Sequence, residues 1–112
     1  MLPSHVAERD QEALAEFARR VKTALGPRLV ELRLFGSKAR GDATADSDLD
    51  VAVVTDGENR RSDAEVVDIA YDVDLAYDVY ISPRMLPQSV LHDPVWSLTG
   101  FVRAIEREGI RL

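Results

Sequence analysis

The chain has 112 residues, a length that suits one domain over residues 1–112 and leaves no room for a separate substrate-recognition domain. Fourteen Lys and Arg stand against twenty Asp and Glu, and the net charge of −6 argues against extended DNA or RNA as a partner, because such binding relies on neutralising phosphates. The absence of cysteine excludes disulfides, zinc–thiolate sites and thiol nucleophiles.

Met1-Leu2-Pro3-Ser4-His5 lacks the basic and apolar segments of a secretion signal, and no stretch reaches the roughly 18 apolar residues of a membrane span, so a cytoplasmic location is expected. From about Ser4 to Leu25, Leu14, Phe17, Ala18, Val21 and Leu25 recur at helical spacing, and Gly26-Pro27 stops the helix. Val30, Leu32 and Leu34 alternate with Glu31 and Arg33, the period of a strand with one buried face, and this strand runs into Gly36-Ser37. Leu49 to Thr55 is rich in β-branched residues and ends at the turn signal Asp56-Gly57, predicting a second strand. A second helix is expected from about Ser62 to Tyr77, where Val66, Ile69, Ala70, Val73 and Tyr77 keep helical spacing and Ser62 or Asp63 can cap the start. Asp78 to Ser82 reads as a short third strand ended by Pro83, and Pro83 to Pro94 as an ordered loop. Leu98, Phe101, Val102 and Ile105 define a last helix that Gly109 terminates, with Trp96 and Phe101 assigned to core packing. The tail Ile110-Arg111-Leu112 can pack on the sheet or build an interface. The order helix, strand, strand, helix, strand, helix makes a small α+β (α/β) domain, a mixed sheet flanked by helices.

The chemistry concentrates in residues 36–50, Gly36-Ser37-Lys38-Ala39-Arg40-Gly41-Asp42-Ala43-Thr44-Ala45-Asp46-Ser47-Asp48-Leu49-Asp50. Gly36 permits close approach of phosphate, and the Ser37 hydroxyl and nearby amides can donate to phosphate oxygens. Arg40 either contacts phosphate or braces the loop through Asp42 or Asp46, whereas Lys38 is expected to face solvent. No Gly-x-x-x-x-Gly-Lys-Ser/Thr pattern is present, so this is not a Walker loop. Asp48 and Asp50 project from one side of a strand while Leu49, Val51 and Val53 project from the other. Two carboxylates so placed repel unless a cation sits between them, and magnesium commonly combines one or two carboxylates with substrate phosphates. Two ions about 3.5–4 Å apart would serve in-line phosphoryl chemistry and would call for a third carboxylate. Asp78 is the candidate, with Asp74 or Asp72 competing if the preceding helix ends early. His5 and His92 have no partners at ligand spacing and are expected at the surface.

Gly36-Ser37, Ala39-Arg40-Gly41, Ser47-Asp48 and Asp50 together resemble the signature of the nucleotidyltransferase superfamily related to DNA polymerase β, most closely its minimal prokaryotic members. The resemblance implies ATP or another NTP as substrate with Mg2+, two ions by the argument above, and transfer of a nucleoside monophosphate to a hydroxyl. It implies metal at Asp48 and Asp50 and a triphosphate held by Gly36 and Ser37. The residues themselves add Asp78 as the third catalytic and metal-binding acid and Arg40 and Ser47 as nucleotide contacts. The third acid is where the chain departs from the family pattern, since Tyr77-Asp78-Val79-Tyr80-Ile81-Ser82-Pro83 is short. Minimal members pair with a helical HEPN protein as antitoxin and toxin, and some adenylylate a tyrosine of that partner. A HEPN-like partner or a homodimer is therefore expected here, and a regulatory antitoxin that neutralises its partner without catalysis is the alternative.

Overall fold

The computed structural model describes residues 2–44 and 47–112. Helix α1 (Glu8–Leu25) leads through a tight 3-10 turn (Gly26–Arg28) into strand β1 (Leu29–Phe35) and the single-turn helix α2 (Ser37–Arg40). Strand β2 (Leu49–Thr55), helix α3 (Arg60–Tyr77) and strand β3 (Ile81–Pro87) follow. The chain closes with α4 (Gln88–Leu91), a 3-10 turn (Trp96–Leu98), α5 (Gly100–Glu108) and strand β4 (Ile110–Arg111).

The four strands form one mixed sheet in the order β3-β2-β1-β4. β1 is antiparallel to both β2 and β4, and β2 is parallel to β3. On one face, Leu32 and Leu34 of β1, Leu49, Val51 and Val53 of β2 and Ile81 of β3 pack against α1 and α3. On the other, Phe35, Ala52, Val54 and Leu86 meet Leu91, Val102 and Ile105 from α4 and α5. β2 is therefore covered on both sides, and Asp50 is its one residue that is not fully buried. No helix among the described residues is long and apolar enough to cross a membrane.

Several boundaries differ from the sequence expectation for physical reasons. α1 starts at Glu8 rather than Ser4, since the ring of His5 turns back to the carbonyls of Lys38 and Ala39. The cap of α3 is Asn59, whose side chain accepts from the Ser62 amide at 3.1 Å. The third strand runs from Ile81 to Pro87, through Pro83 and not up to it. This is possible because β3 lies at the sheet edge. Tyr80 turns its carbonyl to the Leu49 amide of β2, so the backbone of Pro83 and Pro87, of opposite parity, points away from β2 at the open edge, where an N–H is dispensable. The tail packs on the sheet as β4, opposite Arg33 and Leu34. Neither aromatic is part of the core as expected: Trp96 is 52% exposed, and Phe101 is 37% exposed and lies edge-on to buried Phe35 with centroids 5.7 Å apart.

Phe17 of α1 is fully buried against the sheet. Phe17→Ala is expected to lower unfolding free energy by about 3–5 kcal/mol, measured by urea denaturation, while Val67→Ala on the open face of α3 changes it by less than about 0.5 kcal/mol.

Candidate active site

The antiparallel register of β1 and β2 sets Phe35 opposite Asp50, which brings the residue after β1 to the carboxylate. Gly36 has φ 77° and ψ −160°, and a Cβ built on it would fall 2.5 Å from Asp50 Oδ2. Only glycine fits there, by backbone conformation and by space. Ser37 opens α2, where the Arg40 amide donates to the Gly36 carbonyl at 3.1 Å, and Gly41 in the left-handed region (φ 87°) closes the turn. Asp48 is exposed just before β2, and Asp50 is half-buried. Burial, then the charge of Asp48, pushes the Asp50 carboxyl above its ordinary value, against the opposing pull of Arg84 and Arg40. That strain is what a bound cation relieves.

The loop is anchored from behind. Lys38 does not face solvent: it is 8% exposed, and its Nζ donates to Asp10 Oδ2 of α1 at 2.8 Å. The methylene stem of Lys38 lets its head reach inward, and Asp10 is itself 2% exposed, so each charge is the other's compensation. Asp10 was not singled out from sequence. Its signal was position, because it lies four residues before Leu14 on the buried stripe of α1. His5, though exposed, places Nε2 at 3.0 Å from the Ala39 carbonyl and 3.2 Å from that of Lys38.

Arg40 is drawn to Asp42 (3.1 Å) and to Glu108 of α5 (3.0 Å), a bracing geometry; Asp46, its other expected partner, lies outside the described residues. Ser47 folds back, its Oγ accepting from the Thr44 amide at 3.1 Å. Ser47 lines a cleft of about 260 Å³ with Arg9, Asp10, Leu49, Asp78, Val79 and Tyr80, a space to which neither Asp48 nor Asp50 contributes.

Asp78 is not on a strand. It caps α3 in the left-handed region (φ 55°), is fully exposed, and lies 3.9 Å from Arg9 Nη1. Asp74 accepts from the Ile81 amide at 2.8 Å, and burial raises its carboxyl, the Ile81 N–H opposing and Asp48 adding to the rise. Asp72 pairs with Arg20 at 3.0 Å. Among the described residues no three His, Cys, Asp or Glu side chains gather as a metal site. The structure thus brings Gly36, Ser37, Asp48 and Asp50 together and leaves Asp78 apart.

The chain as a whole is similar to known proteins. The family model of the nucleotidyltransferase domain matches residues 14–110. The chain belongs to the nucleotidyltransferase domain family. Two relatives from Methanocaldococcus jannaschii carry the names "Putative protein adenylyltransferase MJ0141" and "Putative protein adenylyltransferase MJ0604". The first is 30% identical over 102 residues, covering 90% of this chain and 96% of the relative. The second is 31% identical over 101 residues, covering 89% and 94%. A solved structure described as a "putative minimal nucleotidyltransferase" shares the fold with TM-score 0.58 and 24% identity over 98% of this chain and all of that one. A toxin–antitoxin crystal structure with AMP-PNP has TM-score 0.53 at 19% identity, over 85% of this chain and 68% of that chain. The chain is a nucleotidyltransferase of mixed-sheet fold.

Lys38→Met leaves buried Asp10 with only the half-exposed Arg9, 4.0 Å away, as counter-charge, and is expected to cost about 3 kcal/mol in chemical denaturation, most of it recovered in the Asp10→Asn/Lys38→Met pair. Because the folded state holds the Asp50 proton more tightly than the unfolded chain, stability contributed by protonated Asp50 is lost as pH rises from its ordinary 3.8 through the raised folded value. In EDTA at neutral pH, Asp50→Asn should therefore melt higher than the natural chain, with the gap closing at acid pH. Adding Mg2+ and ATP should stabilise the natural chain and not the variant.

Proposed function

We propose that this nucleotidyltransferase moves AMP from ATP, with Mg2+, to a hydroxyl of a partner protein in the cytoplasm. The observation that carries the reading is the packing of Gly36 on the Asp50 carboxylate, which joins a phosphate-sized turn to a cation ligand. The donor set fits the ion: hard carboxylate oxygens on Asp48 and Asp50, the latter raised in pKa and open to one side. When bound, Mg2+ neutralises charge on the phosphates and on both acids. Gly36 lets the triphosphate approach the backbone, the Ser37 hydroxyl donates to a phosphate oxygen, and Asp48 and Asp50 hold the ion beside it. Arg40 and Ser47 support the loop's shape at its two ends.

In the transfer, the acceptor oxygen bonds to the α-phosphorus while the bond from that phosphorus to the bridging oxygen breaks. Pyrophosphate leaves with the electron pair, and the hydroxyl proton passes to water. The relatives' names support a protein acceptor, and the toxin–antitoxin neighbours are consistent with a helical HEPN-type partner whose tyrosine receives AMP. The separation of Asp78 from the other acids favours a second reading, a neutralising antitoxin with weak catalysis.

Magnesium-dependent pyrophosphate release from ATP in the presence of a helical protein encoded beside this chain, used as candidate acceptor, tests this directly. Asp48→Asn and Asp50→Asn should each reduce it by more than about a hundredfold. Undiminished release in both variants would sink the assignment, and unchanged neutralisation of the partner by the double variant would put binding ahead of catalysis.

A further inference from the structure

We propose that this chain works with a single divalent cation, and that Arg84 supplies from strand β3 the second positive charge at the phosphates. The inference rests on the transferase reading above and concerns what stands beside Asp50.

β2 and β3 run parallel with Asp50 level with Ser82 and Ala52 level with Arg84. Level residues of paired strands share a face, and neighbouring strands lie about 4.8 Å apart. A third carboxylate able to share an ion with the pair would therefore stand at position 80, level with Asp48, or at position 82, and this chain has a tyrosine and a serine there, neither of them acidic. The next side chain on that face is Arg84, which is exposed.

Among the described residues the other acids do not take the position. Asp78 ends α3 three residues before β3 starts, and it faces Arg9 and the cleft beside Ser47. Asp74 commits its Oδ1 to the first amide of β3, and among the described residues it joins no group of three side chains able to hold a metal ion. One ion suits the pair that remains, since magnesium commonly uses one or two carboxylates with substrate phosphates. A second ion would have two acids to share and a guanidinium as neighbour, and like charges at such range repel. The guanidinium instead meets the need itself: planar, permanently charged and able to grip a phosphate through two parallel hydrogen bonds.

Counting bound Mn2+ by electron paramagnetic resonance on the full chain, saturated with α,β-methylene ATP, tests the proposal, because this analogue cannot undergo transfer. One ion per chain is expected, rising to two in Ser82→Asp, whose new carboxylate completes the second position. Arg84→Ala should keep one ion and weaken the analogue about tenfold to a hundredfold, with Arg84→Lys in between. Two ions in the natural chain would overturn the inference and leave the transferase reading intact. Unchanged analogue affinity in Arg84→Ala would overturn it as well. Failure of the natural chain to bind the analogue with any Mn2+ would remove both. Circular dichroism melts of each variant confirm that the counts come from folded protein.

Discussion

Everything functional in this domain depends on one point of strand register, the pairing of Phe35 with Asp50. A slip of one residue would turn Asp50 into the α1/α3 core and move Gly36 off the carboxylate. The register is held by packing on both faces of the sheet. Leu34 pairs with Val51 and Leu32 with Val53 under α1 and α3, while Phe35, Ala52 and Val54 face α5. The hydrophobic core thus sets the distance between the Gly36 turn and the Asp50 carboxylate, and no loop residue has to do so alone.

The turn is held from the far side as well. Asp10, Lys38 and His5 connect the start of α1 to α2, and Arg40 with Glu108 connects the same turn to the end of α5. A buried ion pair is a poor source of net stability, but it penalises any arrangement in which either partner is left alone. Its effect is selection of one loop conformation over others. Two helices distant in sequence therefore meet at a stretch of six residues, 36–41, that contains two glycines with positive φ.

What could be read from the chain alone follows the range of the interactions. Gly36, Ser37, Asp48 and Asp50 were legible because the motif is contiguous and the two-residue period of a strand decides which side an acid faces. The helices α1 and α3 were legible from their apolar spacing. The Lys38–Asp10 pair was not, since it joins residues 28 apart and a lysine in a polar loop is ordinarily solvated. Strand β3 was placed too early because proline is a strand breaker everywhere except where its missing N–H faces outward, and edge position is a property of topology rather than of local sequence. The same misplacement put Asp78 on a strand, when the left-handed turn at that residue ends α3 instead. Trp96 illustrates the reverse error: a large apolar residue near an apolar helix face that the fold leaves half in water.

The prolines of β3 also decide how another chain can approach. An exposed strand edge invites a partner to add a strand of its own, and Pro83 and Pro87 remove two of the outward donors that such an addition would use. At the opposite edge β4 is two residues long, too short to template an extension of any length. A partner strand would therefore find few donors to pair with at β3 and little length to pair with at β4, so sheet continuation is a poor route for another chain to bind this domain.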